Sequence, residues 1–554
     1  MAICRTPGIT GLLTTILLLI AVPQSTAGQE AKTSRTAGAA DTYRIAGTVV
    51  SKTDGHVLAN ARVTVSDTKN SQKVESVVTS EDGKYEFNSL PAGKYSLSAR
   101  KRGFISAAYD QHEQFSTAIV TGAGLDTESL VLRLAPDAVL TGKVLDESGE
   151  PVRHGTVTVY YDDHAQGVSQ IHAFRNAQTD DLGVFEITPL RPGTYFLSAR
   201  AKPWYAIHRF SDATNSAGQA IDRSFDVAYP LTYYPDVAEA DSAQPIAIQG
   251  GERLQVDIHL NPVAALRLTF RVPGNENAGY PNPQLEQSAF DGATAAEIDG
   301  VRMVSPGIWE LTGIPAGRYN IRTHGPEGGR LTNGVDLSKD GEEVDTSKAD
   351  AFSSVKVRVE VPGESSVPKE LAVGLRSGRR SLAGWQTVDS KGEAELQNIP
   401  AGSYEFLVWS DRKRYSIAHV AAEGAEVSGR VLILTPGAAS SVSLRLVAGN
   451  VEVQGIAKKS GKGFAGAMVV LVPDEPKGNR DLFRRDQSDL DGTFSLPGVI
   501  PGSYTVLAIE NGWDLDWSQP EVIAAYVKHG KKIEVGTHGT QTLKLPGPVE
   551  VQSK

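Results

Sequence analysis

Cysteine is all but missing from this 554-residue chain, which holds one, Cys4. A lone cysteine excludes an internal disulfide framework and a multi-thiolate metal site. Beyond residue 22 no apolar run approaches the roughly 20 residues that a membrane-spanning helix needs. Positive charge is in deficit, with 55 Lys and Arg against 65 Asp and Glu and a net of −10. Such a surface disfavours nucleic acid and anionic membrane as partners. Aromatic residues are few, at 7%. Catalytic signatures are lacking too: no Gly-x-Ser-x-Gly elbow or P-loop occurs.

What is present begins with a leader. Leu12 to Val22 is an eleven-residue apolar run, Arg5 is the one charge before Glu30, and Ser25-Thr26-Ala27 supplies small residues for a signal peptidase. Residues 1–27 are therefore expected to be a cleaved secretory signal and 28–41 a linker. Cys4 leaves with the signal, so no cysteine nucleophile remains, and it lies too early to carry a lipid. The remaining chain is expected to be secreted or periplasmic, with no membrane insertion after signal cleavage. Gly 55 and Pro 29 mark a turn-rich chain, which with recurrent Val and Thr implies many short strands.

One pattern recurs five times. A first glycine (Gly83, Gly183, Gly307, Gly392, Gly492) precedes a second (Gly93, Gly193, Gly317, Gly402, Gly502) by ten residues, and a tyrosine follows two later (Tyr95, Tyr195, Tyr319, Tyr404, Tyr504). The spacing predicts a hairpin: a positive-φ glycine, a short alternating strand, a tight Pro-Ala-Gly turn with its glycine left-handed, then a strand opened by the tyrosine. Alternation in Leu130–Leu134, Val256–Leu260, Val442–Leu446 and Thr542–Leu545 marks closing strands with charges facing out. Val357 to Val361 either closes the third unit or opens the fourth. Successive second glycines lie 100, 124, 85 and 100 residues apart, a period suited to sandwich domains rather than a solenoid.

Openings such as Gly47 to Gly55 and Gly142 to Pro151, each followed by a Val-Thr-Val strand and a Leu-x-x-Gly-x-Tyr segment that contains proline, resemble the carboxypeptidase regulatory-like domain. The resemblance implies a transthyretin-like seven-strand sandwich. It makes the chain an all-β tandem array of about five Greek-key prealbumin-like β-sandwich domains: 42–136, 137–262 with an aromatic insertion, a divergent 263–349, 350–447 and 448–554. In that family the regulatory domain accompanies a peptidase and performs no chemistry. No peptidase is expected here, and the chain reads as not an enzyme, with no cofactor and no metal.

The candidate chemistry is sparse. His259 occupies the slot of Arg133 and Arg445 in equivalent strands, which makes it a solvent-facing polar residue. His154, His164 and His172 beside Asp162 and Asp163 lack the spacing of known metal sites. His324-Gly-Pro-Glu327 fits a zinc-peptidase expression but sits in a turn-forming stretch. Asp486, Asp489 and Asp491 suggest a calcium loop that Gln487 interrupts and no glutamate closes.

What remains is aromatic surface. The second unit is about 25 residues longer than its counterparts between tyrosine and closing strand, and the excess holds Trp204, Tyr205, Phe225, Tyr229, Tyr233 and Tyr234. These rings form either a ligand platform or a plug against the third unit, and Trp513 and Trp517 in the fifth unit pose the same choice. The candidate ligand-binding residues are Trp204, Tyr205, Tyr233, Tyr234, Trp513 and Trp517.

Functionally the chain reads as a non-catalytic secreted binding protein whose partner is an extracellular glycan or an envelope protein. Carbohydrate is favoured because aromatic faces stack on sugar rings. The alternatives are a spacer or protein-interaction stalk in the cell envelope, and an accessory protein of a carboxypeptidase or other extracellular hydrolase.

Overall fold

Period-two alternation becomes strand along nearly the whole chain. The structure is a computed structural model that describes residues 42–554 apart from 123, 213–222, 272–282, 326–327, 346–348, 364–366, 378–379, 382–384, 412 and 537–540. The expected signal and linker, with Cys4, lie outside the described residues. An eight-residue helix, Pro520–Val527, is the one α-helix among those described.

The first repeat sets the plan. One sheet orders Lys84–Leu90, Tyr43–Ser51 and Leu130–Leu134, the central strand antiparallel to the first and parallel to the last. The facing sheet orders Asn70–Val78, Arg62–Asp67 and Gly93–Arg100, edged by Ala107–Ala108 and Ile119–Thr121. Between them lies a core that includes Ile45, Val63, Leu97, Ile119 and Leu132. The fourth repeat follows the same plan with Ser353–Glu360 central, Glu393–Ile399 antiparallel to it and Ala439–Ala448 parallel. Val357 therefore lies in the strand that opens the fourth sandwich. The third closes on Glu342–Asp345, parallel to Leu266–Arg271.

The expected hairpin is an arch. Lys84–Leu90 and Gly93–Arg100 lie in opposite sheets, as do Val184–Leu190 and Gly193–Arg200, Ile308–Ile314 and Gly317–Gly325, and Glu393–Ile399 and Gly402–Trp409. The first glycines have the positive φ expected of them: 74°, 70°, 73°, 85° and 84° at Gly83, Gly183, Gly307, Gly392 and Gly492. The second glycines are not left-handed. Gly93, Gly193 and Gly317 have no positive φ, and Gly402 and Gly502 lie at 154°, towards extended backbone. An in-plane reversal by a two-residue turn needs positive φ at its corner. None of the five second glycines has the φ of about 60° that such a corner takes, and the chain passes between the sheets.

The tyrosine explains the second glycine. Each ring is buried, and each hydroxyl donates to the carbonyl four residues back: Tyr95 to Pro91 at 2.9 Å, Tyr195 to Arg191 at 2.8 Å, Tyr319 to Pro315 at 2.8 Å, Tyr404 to Pro400 at 2.7 Å and Tyr504 to Ile500 at 3.1 Å. The ring folds back under the arch, and a Cβ on Gly317, Gly402 or Gly502 would stand 3.3 to 3.4 Å from it. Glycine makes room for the ring.

The fifth sandwich departs from the others in two ways. Its last strand, Val549–Ser553, runs parallel to both Val451–Lys459 and Gly502–Glu510 and so joins the two sheets. Its strand Met468–Pro473 is buried on both faces, the outer one beneath Trp517 and Ile523.

Two substitutions separate ring from hydroxyl. Tyr404→Phe should cost about 1 kcal/mol, one hydrogen bond, and Tyr404→Ala roughly 3–5 kcal/mol, both read by denaturant unfolding. Equal losses would show that the hydroxyl, not the ring, holds the arch.

Candidate functional site

The unit-two insertion packs mainly against the third sandwich. His208 Nδ1 lies 3.0 Å from Asp226 with both side chains buried, and Arg223 binds Asp226 and Asp340 together. Ser211 donates its amide to Glu310 at 2.9 Å, while Arg302 covers the Phe210 ring at 4.3 Å. Tyr233, 1% exposed, sits with Tyr160 and Leu231 against Ala289, its ring 5.4 Å from Phe290. A ring so enclosed offers no face to a ligand, which corrects its place among the candidate contacts. Tyr234 packs on the second core. Tyr205 and Tyr229 both donate to Glu147, and burial with that carboxylate pushes the Tyr205 phenol up to about 12. Trp204 stands apart at 86% exposed, edge-on to Tyr205.

Trp513 and Trp517 are enclosed by contacts between sandwiches. His112 of the first sandwich stacks on Trp513, ring centres 5.0 Å apart and planes 5° from parallel. Arg485 lies 4.3 Å above Trp517 and is bidentate to Glu113, at 3.0 and 2.6 Å. Its side chain is 3% exposed and that of Glu113 18%. Gln487 donates to Thr117 and to the Asp110 carbonyl, and Lys94 meets Asp489 at 2.5 Å. Even backbone is shared: Leu490 N donates to Ala118 O at 3.0 Å, and Ser518 N to Gly167 O of the second sandwich at 3.0 Å. The fifth sandwich thus returns to the first two.

Residues 44–126 and 139–228 match the model of the carboxypeptidase regulatory-like domain. The chain carries this domain in tandem. Among solved structures it is similar to the Bacillus anthracis TIE protein (11% identity, 74% of this chain and 75% of that one, TM-score 0.18). It is also similar to a minor pilin of Streptococcus agalactiae (16%, 40% and 97%, 0.22) and to the major pilin subunit of Bacillus cereus (9%, 74% and 99%, 0.14). At such TM-scores nothing about role is carried over. No curated protein matches the chain.

Both regulatory-like domains lend polar groups to the returning sandwich. The second lends His164, whose Nδ1 lies 3.1 Å from Asp516, and Ser169, whose amide donates to the same oxygen at 2.7 Å. His164 thus serves a contact between sandwiches. Among the described residues no group of three or more His, Cys, Asp or Glu could hold a metal, and Glu327 lies outside them. Asp489 and Asp491 are engaged by protein groups. In the second and fourth sandwiches the equivalent Asp180 and Asp389 accept two amides of their own turn. In the fifth, Asp489 instead accepts Ala118 N and the Lys94 ammonium from the first regulatory-like domain. Sequence reasoning missed Arg485, Gln487, Glu113 and His112. The signal available was the unbroken apolar run from Met468 to Val472, which implies a covered outer face.

Removing one partner of a buried ion pair costs roughly 3–5 kcal/mol. Arg485→Ala should therefore loosen the return, read as faster hydrogen exchange at the amides of Ala118 and Leu490, which bond across it; unchanged exchange would assign the contact to the aromatic rings. A second test concerns pH. Burial pushes the Asp486 carboxyl up to about 6, above its unfolded value of about 3.9. The fold binds this proton more tightly than the unfolded chain does, so the contribution is full below about 4 and is lost as pH rises through about 6. Asp486→Asn should raise the melting temperature at pH 8 and leave it unchanged at pH 4.

Proposed function

We propose that the chain is a non-catalytic extracytoplasmic binding scaffold, with glycan as the first ligand class. The observation that carries this reading is Trp204. An indole left 86% exposed beside Tyr205, on a segment otherwise fastened to two sandwiches, is the most exposed large apolar side chain among the described residues. An exposed indole face suits a sugar ring. Ile207 and Phe225, both exposed and joined by an amide-to-carbonyl bond of 2.8 Å, add an aliphatic and phenyl extension to the exposed surface of the same insertion.

That aliphatic and phenyl extension favours a second reading, a protein partner in the envelope. Among the described residues no helix is long and apolar enough to cross a membrane. The regulatory-like family supports a non-catalytic role.

A polysaccharide panel against the chain from residue 28 onward tests both readings. Trp204→Ala should remove glycan affinity of about 1–3 kcal/mol, the scale of aromatic stacking on bases, and leave the melting temperature unchanged. If no glycan binds, carbohydrate fails as the ligand and the protein-partner reading takes its place.

A further inference from the structure

The closing strands of the first and fourth sandwiches differ in one respect. In the fourth, Ala439–Ala448 is flanked on both sides, parallel to Ser353–Glu360 and antiparallel to Tyr415–Glu423, with Ser443 opposite Ala421 and Arg445 opposite His419. In the first, Leu130–Leu134 pairs with Tyr43–Ser51 and is the last strand of its sheet. Lys52 N donates to Leu134 O at 2.8 Å, so alternation turns the polar groups of Leu130, Leu132 and Leu134 to the opening strand and those of Val131 and Arg133 outward. These are the positions equivalent to Ser443 and Arg445. Their backbone groups have no partner among the described residues.

This free edge borders a cleft of about 760 Å³ between the first and second sandwiches, a size typical of ligand clefts. Equivalent edges elsewhere are less suited. In the second sandwich the closing strand is split, and His259 N already donates to Asp236 at 2.7 Å. In the third, the strand is the short acidic Glu342–Asp345.

Charge indicates the occupant. Lys52, Arg133 and Arg191 line the cleft and have no carboxylate within salt-bridge distance among the described residues. Of the two acids that line it, Glu113 is paired with Arg485, while Asp110 keeps its charge beside the Thr117 hydroxyl at 3.1 Å, which leaves three unpaired cations against one carboxylate. On a chain of net charge −10, the return of the fifth sandwich thus leaves a cationic cleft beside an unpaired strand.

We propose that an extended acidic segment of a partner protein adds to Leu130–Leu134 as an antiparallel strand, its carboxylates beside Lys52, Arg133 and Arg191. Main-chain bonds to Val131 and Arg133 supply the pairing that Tyr415–Glu423 supplies within the fourth sandwich, and the three cations select sequence. This site is separate from the Trp204 patch.

A short labelled peptide of alternating glutamate and valine is the probe, with its lysine and valine counterpart as control. The acidic peptide should bind saturably and slow hydrogen exchange at the amides of Val131 and Arg133. Val131→Pro removes one outward donor at an edge position, where proline is tolerated, and should weaken binding by about tenfold or more. Arg133→Glu with Arg191→Glu, both at exposed positions, should do the same without lowering the melting temperature. Equal binding of the lysine peptide, acidic-peptide binding without protection of those two amides, or an oligogalacturonate binding as tightly as the peptide would overturn the proposal.

Discussion

The repeat rests on a tyrosine beneath an arch. A chain that leaves one sheet and enters the other must turn through the space between them, and the turn's first carbonyl loses water as it does so. A phenol hydroxyl four residues later satisfies that carbonyl, and its ring fills the space below. One residue type thereby supplies packing volume and a hydrogen bond. Proline before the turn and glycine within it serve this geometry, and the opening and closing strands assemble around it.

Above the level of single sandwiches, polar chemistry dominates. The contacts that bring the fifth sandwich to the first are an arginine fork, a glutamine side chain, an ammonium and a shared backbone bond, with rings stacked among them. Buried charge of this kind costs desolvation and is tolerated when each group is paired. Arg485 meets a carboxylate and an indole at once. Trp513 and Trp517 are therefore best understood through the arginine and histidine they cover.

The strands and the positive-φ first glycines were legible in the sequence because each follows from local rules of alternation and turn geometry. The arch was not, since a Pro-Ala-Gly turn reads the same whether its two strands share a sheet or cross between sheets. Deciding that needs the tyrosine hydroxyl's partner. Among the candidate site residues, aromatic enrichment located the insertion but could not sort Trp204, exposed, from Tyr233, enclosed by Phe290. Their environments depend on a neighbour more than fifty residues further along. Arg485 and Glu113 were invisible for the same reason, being partners 372 residues apart.

That separation has a consequence for the order in which the molecule forms. Each sandwich is built from contacts within its own stretch and can condense as that stretch emerges, N-terminal first. The bonds between Glu113 and Arg485, or Asp110 and Gln487, must wait until the fifth sandwich exists. During synthesis the first sandwich therefore spends an interval with His112, Glu113 and the Ala118 carbonyl open to water, a polar surface rather than a greasy one. A nascent chain that must wait for a distant segment is better served by an unfinished face that water tolerates, and that face closes only once the fifth sandwich has folded.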